Sequence, residues 1–357
     1  MKLTEFDYDL PKDLIAQRPL SARDDSRLMV LDRKNNTIDH HSFSNFLDYV
    51  QKNDVIVLNN TKVFPARLMG SKKGTGGKVE ILLVQETGLG AWKAMVKSSG
   101  KLKENMEISF GLNGASGKLI ARENGPDNGE DSESGGLWLI QFSSEESAKS
   151  LINEIGLVPL PPYIKRDNYR PSSRLDKEGY QTIYASNSGA IAAPTAGLHF
   201  THEILQSVKK REAKIAEITL HVGIGTFKSV RKELIKHHVM IPEYFEIDHT
   251  SEDIIKKAIK SGKRIFAVGT TSVRTIESLR IVKNNIEPLK GYTNLFIYPG
   301  YEFQYVNALL TNFHLPKSTL LMLVYAFAGK ELAKKAYQEA IKRRYRFYSY
   351  GDAMLII

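Results

Sequence analysis

Between Met69 and Phe142 the chain offers short apolar segments and nothing with a helical period. "KVEILLVQ", "AWKAMVK", "MEISF", "GKLIARE" and "LWLIQF" follow one another, separated by Gly, Asn and Ser turns. Five or six short strands with no helix to cover them would leave long unpaired edges unless they closed on themselves, so this stretch is expected to form a small closed β-barrel. "ENGPDNGEDSESGG" (Glu123–Gly136) reads as a polar hairpin tip within it.

On either side the pattern differs. "RLMVLDRKNNTIDHHSF" reads as a hairpin turning at Lys34, Asn35 and Asn36, and "DVIVLNN" as a buried strand ending in an Asn pair. "AKIAEITLHVG" is a strand, and "SEDIIKKAIKSGKRIFAVGTTSVRTIESL" is helix, strand, turn and helix, with Ser251 as N-cap and Gly262 as stop. Strands alternating with helices give an α/β domain. Both chain ends, residues 1–68 and 154–357, are therefore expected to build one discontinuous α/β domain, with residues 69–153 inserted as the β-barrel.

The chain has no cysteine, which removes disulfides, thiol nucleophiles and thiolate metal sites and fits a cytoplasmic setting. The N-terminal "MKLTEFDYDLPKDL" lacks the apolar core of an export signal. The apolar run Leu320–Gly329 is about half the ~20 residues of a membrane span, so it reads as a buried strand or the start of a helix. A net charge of +10 suits a polyanionic partner. Positive charge clusters among aromatics in Lys330–Arg346, which includes Lys342, Arg343 and Arg344, and in the loop Tyr163–Arg174, which includes Arg166 and Arg170. Adjacent His237 and His238 would face opposite ways on a strand, and no HExxH motif is present, so no metal is expected.

Three segments could carry chemistry. In Ala216–Val222 alternation puts Glu217, Thr219 and His221 on the face opposite Ala216, Ile218 and Leu220. His221 thus stands at the strand's C-terminal end before the glycine loop "GIGTF", where α/β folds place ligands. "FAVGTTSVRTIES" repeats that arrangement, with Thr270, Thr271 and Arg274 at a helix start suited to an anion. "LLTNFHLPKSTLLML" gathers Asn312, His314 and Lys317 around a proline. A fourth segment, "GAIAAPTAGLHFT" (Gly189–Thr201), is too small-residued for ordinary core. Its low volume suits a backbone-lined wall holding a flat ring, with Thr195 and Gly197 in the wall and His199 as its one titrating group.

Taken in order, "FDYDLPKDLIAQRPLSARDDSRLMVLDR", "VLNNTKVFPARL", "PLPPYIKR", "GAIAAPTAGLHFT", "LHVGIGTF", "AVGTTSVRTIES", "TNLFIYPGYEF", "LLTNFHLPKSTLLMLVYAFAG" and "YRFYSYGDAMLI" resemble the S-adenosylmethionine:tRNA ribosyltransferase-isomerase family of queuosine biosynthesis. The resemblance implies a TIM-like α/β barrel as the main domain, with the β-barrel inserted. It also implies a cytoplasmic, monomeric enzyme with no cofactor beyond S-adenosylmethionine as co-substrate. The partner it implies is a tRNA with a GUN anticodon carrying 7-aminomethyl-7-deazaguanine, and no membrane. The ribosyl group is transferred and rearranged to give epoxyqueuosine, with adenine and methionine released.

That reaction needs a base at the ribose C5′ that the sulfonium acidifies, an acid for departing adenine, and a neutral attacking amine. Each proton transfer supplies ~10²–10⁴-fold. His199, His221 and Glu243 are the acid/base candidates, and Asp352 is a carboxylate for ribose hydroxyls or an amine. Thr195, Gly197, Thr270, Thr271, Arg274, Asn312 and His314 are the S-adenosylmethionine candidates, with Arg166, Arg170, Lys342, Arg343 and Arg344 for tRNA. Arg23, Asp24 and Arg27 read as a charged knot. The chain departs from the family pattern at Ile241, where a histidine is usual, and at Asn307, where an aspartate is usual. A methyltransferase using the same co-substrate, or a non-enzymatic tRNA-binding protein, are the competing readings.

Overall fold

The computed structural model describes residues 1–112, 114–123, 136–166, 174–227, 230, 232–282 and 285–357. They form two compact units. One comprises Met1–Lys62, Pro161–Lys165 and Gly179–Ile357; the other comprises Val63–Leu160 and Arg166–Glu178.

The first unit is built on a nine-stranded sheet. Its strands are β1 (Arg27–Asp32), β2 (Thr37–Ser42), β3 (Val55–Asn59), β4 (Lys214–Leu220), β5 (Glu243–Ile247), β6 (Ile265–Val268), β7 (Lys290–Thr293), β8 (Ala308–Asn312) and β9 (Ala353–Ile356). Across the sheet they lie in the order β7-β5-β4-β3-β6-β8-β9-β1-β2. β4, β3, β6 and β8 run parallel, and every residue of β3 is buried, as expected for a strand with both faces covered. β5, β7, β9 and β2 each make antiparallel pairings, while β9 and β1 are parallel. Among the described residues these pairings do not make the ring of eight parallel strands that a TIM-like barrel requires. What the chain forms is a mixed α/β unit whose parallel centre is flanked by antiparallel strands.

Local chemistry explains the pieces. The β1–β2 hairpin turns where Asn36 takes φ 55°, and Asp32 Oδ1 accepts the Lys34 and Asn35 amides at 2.8 and 3.0 Å. The Leu320–Gly329 run is helical: helix Thr319–Ala328 starts on Ser318, whose Oγ accepts the Leu321 amide. It is apolar on all sides because it is buried on all sides. The helix His249–Lys260 starts earlier than expected. Asp248 caps it by accepting the Ser251 amide, and Ser251 Oγ instead accepts the Glu217 amide at 2.9 Å. Gly262, at φ 59°, ends it as anticipated. His237 closes a short 3₁₀ turn, Ile235–His237, so the two adjacent histidines are not on a strand. The core gathers Phe43, Phe46, Phe200 and Phe266 with β3 and β8 side chains; Phe200 meets Phe43 and Phe46 edge-on at 5.3 and 5.5 Å.

In the second unit Leu137–Phe142, Ala91–Ser98, Lys78–Gly88, Arg67–Lys72, Glu107–Ser109 and Ser116–Arg122 pair antiparallel in that order and close into a barrel. The first of these strands in the chain begins at Arg67, two residues before the composition change at Met69. Buried and partly buried residues alternate along Ala91–Val96 and Leu137–Phe142, as one inward face demands. Most of the polar tip Glu123–Gly136, residues 124–135, lies outside the described residues.

Among the described residues no helix is long and apolar enough to cross a membrane.

Candidate active site

Register brings several of the candidate residues to one edge of the large sheet. Asn59, Leu220, Val268 and Asn312 end the four adjacent parallel strands, so the segments that follow them emerge together. β9 runs antiparallel to β8 with Ala353 opposite Asn312, and β1 pairs Leu28 with Ala353. Asp352 and Arg27 therefore start their strands on this edge, and so does Glu243, because β5 runs antiparallel to β4.

His221 follows β4 directly and is half-buried. Its Nδ1 lies 2.8 Å from Thr61 Oγ1, and its ring lies face-on to Tyr244 at 5.9 Å. Burial lowers its pKa from 6.5, with Glu246 pulling the other way. The edge bearing Nε2 passes Gly189 so closely that a Cβ there would stand 2.6 Å from Nε2. Asn59 braces the same corner: its Nδ2 donates to Leu220 O and Thr271 Oγ1, and its Oδ1 accepts the Leu220 and Thr61 amides.

His199 sits in a different setting. Asn312 Nδ2 donates to its Nε2 at 3.1 Å, which places the ring proton on Nδ1, where it donates to Ser26 Oγ at 2.7 Å. Thr195 Oγ1 donates to Asn312 Oδ1, and Phe43 stacks on the imidazole at 5.0 Å. Burial, helped by the charges of Arg346 and Arg23, takes its pKa to about 3. His314 is also buried, with Nε2 2.8 Å from Thr311 Oγ1, and burial alone takes it to about 3.

Two neutral buried histidines make the fold acid-sensitive. Below pH 6.5 the unfolded chain binds protons that the folded chain refuses, so their contribution to stability is full above pH 6.5 and is lost as pH falls toward 3. Thermal melting at pH 7, 5 and 4 should show a falling midpoint, with a smaller fall in His199→Asn. A midpoint that does not move across this range would contradict the assignment of both rings as neutral.

Glu243 and Arg274 form a buried ion pair. Glu243 Oε1 also accepts the Gly223 amide at 2.8 Å, while Arg274 Nε and Nη2 donate to Leu295 O and Thr293 O. Asp352, 1% exposed, accepts from the Arg27 amide and guanidinium and from the Arg346 amide. Both carboxylates are thus occupied by protein donors. Arg23 reaches elsewhere, to Leu198 O at 3.1 Å, so the charged knot divides between two neighbourhoods. Thr270 and Thr271 open helix Thr270–Glu277 behind Gly269, where no side chain caps the free amides. Lys317 pairs with Asp7 at 2.6 Å.

Asn307 has a structural place, its Oδ1 accepting the Ile265 amide at 2.8 Å, and Ile241 packs beside Gly225. Lys342, Arg343 and Arg344 close helix Lys330–Lys342 and are exposed; Arg343 pairs with Glu339 and Arg344 with Asp13. In the second unit Arg166 holds Asp176 at 2.7 Å, and Arg170 lies outside the described residues. Among the described residues no group of three or more His, Asp or Glu could hold a metal ion.

Sequence reasoning missed Ser26, Thr61, Asn59 and Tyr244, each of which orients a candidate. Only Asn59 left a trace, as the polar end of an apolar strand.

A queuosine biosynthesis protein family model matches residues 3–356. The chain is 46% identical over 357 residues to an S-adenosylmethionine:tRNA ribosyltransferase-isomerase of Halothermothrix orenii, covering all of both chains. It is 45% identical to one of Natranaerobius thermophilus, covering all of this chain and 99% of the other. Among solved structures it is similar to an S-adenosylmethionine tRNA ribosyltransferase from Thermotoga maritima. That match is 38% identical with a TM-score of 0.53, covering 99% of this chain and all of the other.

Proposed function

This chain belongs to the queuosine biosynthesis protein family, and from that premise we propose how the edge of its large sheet carries out the family's ribosyl transfer and isomerisation. The reaction moves the ribosyl part of S-adenosylmethionine onto 7-aminomethyl-7-deazaguanine in tRNA and rearranges it to epoxyqueuosine, releasing adenine and methionine. The full-length match carries this conclusion, and the convergence of four parallel strand ends supports putting the reaction at that end of the sheet.

In this reading His221 is the general base. A proton on Nδ1, donated to Thr61 Oγ1, leaves the Nε2 lone pair for the ribose C5′ proton. The uncapped start of helix Thr270–Glu277, with the Thr270 and Thr271 hydroxyls, receives the methionine carboxylate. His199 is a positioning residue that holds Ser26, Asn312 and Thr195 together, because a ring with both nitrogens engaged and a pKa about 3 does not shuttle protons near neutrality. Glu243 with Arg274 fixes the loop after His221 through the Gly223 amide, and Asp352 with Arg27 fixes the start of β9. S-adenosylmethionine serves as co-substrate and no further cofactor is invoked. A monomer acting in the cytoplasm on tRNA with a GUN anticodon completes the reading, and Lys342, Arg343 and Arg344 supply exposed positive charge for the RNA backbone.

The test is product analysis. Incubated with S-adenosylmethionine and an anticodon stem-loop bearing the precursor base, the protein should release adenine and methionine in step with RNA modification. S-adenosylhomocysteine without adenine would point to methyl transfer and end this reading.

A further inference from the structure

Two hydroxyls beside the turn Thr195–His199 have no hydrogen-bond partner among the described residues: Tyr184 Oη and Thr182 Oγ1, both out of reach of solvent. The two side chains meet at Gly197, Tyr184 through its hydroxyl and Thr182 through its methyl. A Cβ built on that glycine would collide with Tyr184 Oη and stand 2.9 Å from Thr182 Cγ2. Glycine is thus required there for space, so that the phenol can lie against the main chain. Next along the turn come Leu198, whose carbonyl accepts from Arg23, and His199.

A buried hydroxyl without a partner has lost its water hydrogen bonds with nothing in return, which destabilises the fold. Phe at 184 and Val at 182 would fill nearly the same volume and avoid that cost. Tyr184 packs against a core cluster that includes the buried Ala196, and Gly197 presents bare main chain to its hydroxyl. Burial pushes the Tyr184 pKa up strongly, so the phenol keeps its proton and acts only as a neutral hydroxyl, never as a base. The opposite charges of Glu217 and Arg23 both act on it. A neutral hydroxyl donor set against bare main chain suits a neutral ring that offers an acceptor nitrogen.

We propose that Tyr184, with Thr182 as its second group, binds the adenine moiety of S-adenosylmethionine, the Tyr184 hydroxyl donating a hydrogen bond to a ring nitrogen. This rests on the ribosyl-transfer reading above. The bond holds the purine against the Gly197 wall and strengthens as adenine departs with the electron pair of its glycosidic bond.

The experiment uses the full chain and titrates adenine calorimetrically into wild type and Tyr184→Phe, alongside thermal melting. The expected result is adenine affinity about tenfold weaker in the variant, with a melting midpoint unchanged or higher. Unaltered adenine affinity overturns the proposal: a higher midpoint would then mean an idle hydroxyl, and a lower one a hydroxyl satisfied by internal water. Thr182→Val, which removes a hydroxyl at nearly constant volume, should weaken adenine binding in the same direction, and it decides the question if Tyr184→Phe does not fold. Adenine release from S-adenosylmethionine by wild type is measured first. Its absence would remove the functional reading itself, whereas release by wild type with unaltered binding in both variants removes only this inference.

Discussion

Arg274→Ala should destabilise the first unit by about 3–5 kcal/mol, the largest loss expected from any single polar substitution in this chain. The reason is what stays behind. Glu243 is 5% exposed and would be left with only the Gly223 amide for company. The carbonyls of Leu295 and Thr293 would lose their donors as well. Glu243→Gln should cost less, because its amide oxygen still accepts from Gly223 and Arg274 keeps both carbonyls. Urea unfolding of the two variants measures the difference. Equal losses would mean that the charge carries the whole effect and the geometry around Gly223 none, so that the pair does not act as a strut for the loop after His221.

His221→Ala should lower turnover by about 10²–10⁴-fold with little change in the melting midpoint, since the ring is half-buried and rests on Tyr244 rather than in the core. The sign of the pH dependence follows from burial. The base must be neutral, and burial lowers its pKa from 6.5, so the acid limb of kcat/KM should lie below pH 6.5, with activity lost as pH falls through it. A limb above 6.5 would mean that another group is the base. A loss of turnover matched by an equal loss of stability would reduce His221 to a brace.

The two substitutions separate roles that the residue types alone do not. Glu243 and Asp352 are both carboxylates near a strand end, and by type either suits proton transfer. Each is surrounded by protein donors, Glu243 by Arg274 and Gly223, Asp352 by Arg27 and Arg346. Their guanidinium donors come from distant parts of the chain: Arg27 lies 325 positions from Asp352, and Arg274 lies 31 from Glu243. No local pattern announces such a partner. His199 illustrates the same limit. Its sequence neighbours suggest a titrating group on a turn, whereas Phe43, Ser26 and Asn312 close around it and keep it neutral.

Features that depend on near neighbours were legible in the residues alone. Alternation over a few residues marked the barrel strands, because one face of each must point inward. The unbroken apolar run of β3 marked a strand buried on both faces, and Asn36 and Gly262 marked a turn and a helix end, because those backbone conformations are local. The ordered motifs also marked the family. Strand direction, and with it a mixed sheet in place of a ring of parallel strands, was settled only when distant segments packed together. So was the pairing of Glu243 with Arg274 and of Asp352 with Arg27. Direction and pairing depend on which of those segments share an edge and a desolvated space, and burial rather than residue type then sets which histidine can carry a proton.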